Sequence, residues 1–268
     1  MTRQKIGFIG LGNMATAMIG GMLKKQMVRP EHIIGKARTQ GTEEMVQNRY
    51  GIEIAESNAA AAAASDVLFL AVKPVFLDGV ITEIRDALRP GTLIVSIAAG
   101  RSLDYLRQAI DRPDCALVRC MPNTPALVLE GCTGVCADEN VSAEDLEFVL
   151  KLLTAFGTAH VVPERLMDVV TGVSGSSPAY VFLFIEAMAD EAVAEGMPRK
   201  QAYEFAAQAV LGSAKLVLET GRHPGELKDM VCSPGGTTIQ AVKVLEEKGM
   251  RAAVMDAMEA CIRKSRDM

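Results

Sequence analysis

The chain has 268 residues, 49% of them hydrophobic and 23% charged, with a formal net charge of −5. That length suggests one or two domains, the balance is that of a globular protein, and the mild acidity argues against a nucleic-acid partner. Aromatics are 4% and tryptophan is absent, so the core has to be built from Ala, Val, Leu, Ile and some of the 15 Met.

Residues 5–10 form a short apolar run ending in glycine, and residues 14–25 carry apolar side chains at helical spacing. That order reads as strand, tight turn and helix. Residues 32–37 predict a second strand and 52–55 a weak third. Asn58 precedes an alanine run at 59–64, which predicts a helix with Asn58 as its cap. Residues 67–72, 92–99 and 116–120 are apolar at nearly every position. Strands covered by helices on both faces have this pattern, because neither face meets water. Shorter strand candidates are 133–137 and 160–162, with a periodic helix at 144–156 preceded by Ser142. Strands alternating with helices imply an α/β domain with a doubly wound, Rossmann-type, mostly parallel sheet. From Pro163 the strand signal fades, and 178–195, 198–220, 235–248 and 250–264 all predict helices. The expected division is therefore 1–162, a dinucleotide-binding domain, and 163–268, an all-helical domain.

Gly10-Leu11-Gly12-Asn13-Met14-Ala15 matches G-x-G-x-x-A directly after the first predicted strand. The first glycine permits the turn, the second admits a pyrophosphate, and the small third residue lets helix and strand pack closely. The helix N-terminus then offers N–H groups to the phosphates. Dinucleotide sites that prefer NAD place an acid at the end of the second strand. Here that stretch holds no acid but Lys36, Arg38 and the hydroxyl of Thr39, which favours NADP, with NADH left open. Ala71-Val72-Lys73-Pro74 and Ala98-Ala99-Gly100 lie at predicted carboxyl ends of further strands, where cofactors bind in such sheets.

In the helical half, residues 172–178 and 223–238 read as loops that break the helical pattern. Ser233 to Thr238, rich in hydroxyls and backbone N–H groups before a helix, suit a carboxylate, although a plain N-cap loop has the same composition.

Together these segments resemble the pyrroline-5-carboxylate reductase family along the whole chain. The likeness runs through Phe8-Ile-Gly-Leu-Gly-Asn-Met14, Asp66 to Pro74, Arg119-Cys-Met-Pro-Asn-Thr-Pro125, Thr171 to Tyr180, His223 to Asp229 and Ser233-Pro-Gly-Gly-Thr-Thr238. Ser177 departs from it, standing where the family typically has glycine. The resemblance implies NADPH-dependent reduction of 1-pyrroline-5-carboxylate to L-proline, the last step of proline biosynthesis. It implies substrate contacts from Ser176, Ser233, Gly235, Gly236, Thr237 and Thr238, with Ser233 and Thr238 at the chemical step. Asn58 joins Val72 to Pro74 at the cofactor. It further implies a homodimer through an intertwined helical domain, or a larger homo-oligomer, so that the substrate loop can serve the partner subunit's cofactor.

Two other readings remain at this point: a β-hydroxyacid dehydrogenase-like oxidoreductase, and a non-catalytic NADP-binding module. The first needs a lysine with an asparagine one turn on. Lys215 is followed there by Leu218 and Glu219. Six Cys and three His show no ligand spacing, so no metal is expected, and free thiols point to a reducing cytoplasm. Neither a membrane span nor a signal peptide is expected, since the apolar run 181–185 ends at Glu186.

Overall fold

A computed structural model describes residues 5–267. It divides into two compact units, one of residues up to Ser176 together with those from Cys261, the other Ser177–Ala260.

The first unit is built on an eight-stranded sheet of order β3-β2-β1-β4-β5-β6-β7-β8. Its strands are β1 Ile6–Ile9, β2 Ile33–Lys36, β3 Glu53–Ile54, β4 Val67–Leu70, β5 Leu93–Ser96, β6 Ala116–Met121, β7 Gly131–Ala137 and β8 Gly157–Val161. All neighbours are parallel except β6 and β7. No strand follows β8 among the described residues.

The apolar runs alternate across the sheet and feed two cores. Ile6, Phe8, Val67, Phe69, Leu93 and Val95 point to one face, where Met18, Ile19 and Met22 of α1 (Asn13–Lys24) and Leu152 and Leu153 of α6 (Ala143–Leu153) cover them. Phe8 and Phe69 stack with ring centroids 4.7 Å apart. Ile9, Leu68, Leu70 and Ile94 point to the other face. There they meet α3 (Asn58–Ala64), α4 (Leu77–Ile84) and α5 (Leu103–Ile110). Helices on both faces explain why the central strands are apolar throughout.

Several sequence expectations are corrected. Ser57, not Asn58, caps α3: its hydroxyl accepts from the Ala60 N–H at 3.0 Å, while Asn58 is the first helical residue and donates to Glu83 at 2.6 Å. Ser57 is one residue nearer the strand and has the extended backbone a cap requires. Segment 172–178 is not a loop. α7 (Met167–Val170) continues as a π-helical turn, Thr171–Gly175, straight into α8 (Ser177–Ala194). This is why serine is tolerated at 177: its backbone is not among the positive-φ residues.

The second unit contains α8, then α9 (Arg199–Thr220), α10 (Pro224–Val231), α11 (Thr237–Glu247) and the larger part of α12 (Met250–Arg266). Segment 223–238 also departs from expectation, because α10 occupies half of it. Pro224 sits at the first helical position and the His223 ring Nδ1 accepts from the Gly225 N–H at 3.1 Å. Histidine is an unusual cap, and Gly225 reads as a breaker, so the pattern conceals the helix. The helical run Glu164–Ala194 is long and apolar enough to cross a bilayer by length and composition, which the sequence reading did not anticipate. Phe182, Leu183, Phe205, Leu211 and Met255 are all more than half exposed in this unit.

Candidate active site

The order of the sheet reverses between β1 and β4, and the carboxyl ends of β1, β2, β4 and β5 open on one side of that switch point. In open α/β sheets this crevice is where ligands bind. Gly10 follows β1 with φ +92°, and its N–H donates to the Lys36 carbonyl at 2.8 Å, tying the glycine turn to the end of β2. A methyl at Gly10 would lie 2.5 Å from the Ala71 carbonyl oxygen, so the turn is also packed against the loop after β4. A methyl at Gly12 would meet nothing within 4 Å. Gly12 thus fronts open space at the N-terminus of α1, where no side chain caps the helix. Space beside uncapped N–H groups is what a pyrophosphate requires, and Ala15, 1% exposed, closes the helix onto the sheet behind it. The residues present fit a dinucleotide.

The remaining cofactor candidates fall around the same crevice in different ways. Asn13 is exposed and Met14 half-buried at the start of α1, whereas the Leu11 side chain is buried in the core and offers only its backbone. Ala71 to Pro74 follow β4, and Ala98 to Gly100 follow β5 with the Ala98 methyl buried. Arg38 leaves β2 and lays its guanidinium over the Phe76 ring, 5.1 Å from the centroid. Thr39 begins α2 (Gln40–Tyr50) and shares a 2.9 Å hydrogen bond with the Thr42 hydroxyl.

The strand end proves less basic than the sequence suggests. Lys36 Nζ lies 3.0 Å from Glu43, whose carboxylate also accepts from the Ala37 N–H at 3.0 Å. An acid does reach the end of β2, from the first turn of α2 rather than from residues 35–39. Reading the strand end alone misses it because α2 brings a downstream residue back.

In the second unit, Ser233 to Thr238 form a turn leading into a helix. The Gly236 N–H donates to the Ser233 carbonyl at 3.0 Å, and Gly235 has φ +68°. Proline followed by a positive-φ glycine is the signature of a type II turn. The Ser233 hydroxyl packs against Gly236, where a methyl would come within 2.3 Å of Oγ. Gly236 has extended backbone and caps α11 without a side chain, so Thr237 and Thr238 present the first N–H groups of that helix. Ser176 lies in the first unit, where its hydroxyl accepts from Cys261 Sγ at 3.2 Å.

Asn123, in the Met-Pro-Asn-Thr segment, carries a structural role the sequence did not disclose. It is 8% exposed, donates to the Ser174 carbonyl at 3.0 Å and accepts from the Cys132 N–H at 2.8 Å. It thereby fixes the segment after β6 to the π-helical turn. No group of three His, Cys, Asp or Glu able to hold a metal occurs among the described residues. The six cysteines are free thiols. Burial pushes Cys115, Cys120 and Cys136 up, Cys136 to about 11 with the Glu164 carboxylate adding to the effect, so these thiols stay protonated at neutral pH. Lys215 pairs with Glu219 on the exposed face of α9 at 3.5 Å.

A doubly wound sheet with a glycine turn and open space at its switch point defines a protein of the dinucleotide-binding class. In agreement, residues 5–100 match the family described as NADP oxidoreductase coenzyme F420-dependent. Residues 164–268 match pyrroline-5-carboxylate reductase dimerisation. The chain is 54% identical to pyrroline-5-carboxylate reductase of Escherichia coli (strain K12), over 98% of this chain and 97% of that protein. The structure of the enzyme from Coxiella burnetii matches with a TM-score of 0.91 at 32% identity, covering 100% of this chain and 98% of that one. That of Plasmodium falciparum pyrroline carboxylate reductase with NADP bound matches with a TM-score of 0.89 at 31% identity, again over 100% and 98%. The chain belongs to the pyrroline-5-carboxylate reductase family, an enzyme family of proline biosynthesis, and residues 5–100 match an NADP-binding domain. This membership sets aside the hydroxyacid dehydrogenase and the non-catalytic module.

Proposed function

We propose that residues 1–162 hold NADPH and that residues 163–268 bind the substrate and join two subunits, so that the chain reduces 1-pyrroline-5-carboxylate to L-proline in the cytoplasm. The observation that carries the reading is the Ser233 to Thr238 turn at the start of α11, in a chain whose Gly12 fronts open space. Gly10 to Met14 cradle the pyrophosphate, and Ala71 to Pro74, Ala98 to Gly100 and Asn58 line the rest of the cofactor. When bound, NADPH supplies the hydride. The Ser233 hydroxyl, with the N–H groups of Gly235, Gly236 and Thr237, binds the substrate carboxylate. The Thr238 hydroxyl holds the ring nitrogen. A protonated imine is already a good electrophile, so positioning is the main requirement and no strong general acid is needed. Free thiols suit a reducing compartment. Loss of NADPH absorbance with pyrroline-5-carboxylate, and no formation of NADPH from NADP⁺ with 2- or 3-hydroxy acids, tests the assignment.

Two further results follow from the same reading. Replacing Lys36 and Arg38 together by neutral residues should raise the KM for NADPH roughly 30-fold and that for NADH much less, because a 2′-phosphate needs cations that a 2′-hydroxyl does not. Equal changes would place these side chains elsewhere. The apolar faces of α8 and α9 need covering, and a subunit contact fits the dimerisation match at 164–268 better than a bilayer. Sedimentation at micromolar concentration should therefore give at least twice the 28.6 kDa chain mass. A monomer there would refute the contact.

A further inference from the structure

We infer that Glu43 is a specificity-determining residue that limits how strongly this chain prefers NADPH over NADH. The inference rests on the proposal that Lys36 and Arg38 face the adenosine ribose of the cofactor. Glu43 is the acid the strand end lacks in sequence. One of its carboxylate oxygens, Oε1, meets both the Lys36 ammonium at 3.0 Å and the N–H of the next residue, Ala37, at 3.0 Å. Its side chain is 13% exposed and that of Lys36 24%, so the pair is partly shielded from solvent. The Lys36 carbonyl meanwhile bonds the Gly10 N–H, so pair and glycine turn share one end of the sheet.

The consequence is electrostatic. Of the two cations at this strand end, Lys36 is already engaged by a carboxylate. Arg38 has no carboxylate partner among the described residues and rests on Phe76. A 2′-phosphate must therefore compete with Glu43 for Lys36 and is repelled by the same carboxylate. A 2′-hydroxyl carries no charge and finds in Glu43 the kind of acceptor that sites preferring NAD supply. One side chain thus weakens the phosphate-bearing cofactor and supports the other.

The test measures binding rather than turnover. Dissociation constants of NADP⁺ and NAD⁺ for the full-length protein are determined by calorimetry at several salt concentrations. Glu43→Gln keeps an acceptor for the Ala37 N–H and removes the charge. Its ratio of NAD⁺ to NADP⁺ dissociation constants should rise about fivefold, and NADP⁺ binding should become more salt-dependent as Lys36 is released to the phosphate. An unchanged or lowered ratio overturns the inference. A second comparison covers failure of that variant to fold. In Lys36→Gln the Glu43 charge is left unpaired, so NADP⁺ binding should weaken about tenfold, and Lys36→Gln/Glu43→Gln should regain several-fold of it. A double variant no better than the single one also overturns the role of Glu43. If Lys36→Gln and Arg38→Gln both bind NADP⁺ as the parent does, the placement of the ribose fails instead.

Discussion

Gly12→Val is expected to weaken NADPH binding by on the order of 100-fold, about 2.7 kcal/mol, while shifting the melting temperature of the cofactor-free protein by no more than ~2 °C. The two halves of that expectation come from one observation. A Cβ at Gly12 meets no atom within 4 Å, and its φ of −76° and ψ of −172° are ordinary extended backbone. Valine there costs the apoprotein little and projects its methyls into the space left for phosphate at the start of α1. Gly10 differs. A methyl would press on the Ala71 carbonyl at 2.5 Å, and φ is +92°, so Gly10→Ala should lower the melting temperature as well as cofactor affinity. Equilibrium titration and thermal melting of both variants separate blocked space from damaged fold. Valine at 12 that still binds NADPH at parent strength would mean that phosphates do not cross this turn.

How far the sequence discloses the site depends on whether the information is local. The turn at Gly10 is legible because a positive φ directly after an apolar strand demands glycine. The central strands are legible because burial on both faces leaves no polar alternation. Glu43 is not, because its position at the end of β2 depends on how α2 folds back, and α2 buries only Val46 and has little apolar periodicity. The cap of α3 is displaced by one residue because Ser57 and Asn58 are both good caps and only backbone geometry chooses between them. α10 stays hidden behind a histidine cap and an early glycine. The role of Asn123 depends on a partner at 174, far from it in sequence, as well as on the Cys132 N–H across the next turn. Local chemistry can thus be read directly, whereas side chains that act across elements need the fold.

Thr238→Ala should lower kcat by roughly one to two orders of magnitude without abolishing turnover. Thr238 stands at the second position of α11, behind a turn fixed by Pro234 and the positive φ of Gly235, so its hydroxyl is held by backbone rather than by a mobile loop. A neutral hydrogen bond is worth about 0.5–1.5 kcal/mol net in ordinary surroundings and more in a closed, dry site, which sets the range. A hydroxyl is too weak an acid to supply the proton alone. Its contribution is to orient the ring nitrogen and pass a proton from water, so residual activity should remain. Thr238→Ser keeps the hydroxyl and should recover most of the rate. NADPH affinity should stay at the parent value in both variants, because the glycine turn belongs to the other compact unit. Stopped-flow turnover alongside cofactor titration separates the cases. Parent-like turnover in the alanine variant would reduce Thr238 to a residue of the helix start. Loss of cofactor affinity would place it at the nucleotide rather than at the imine.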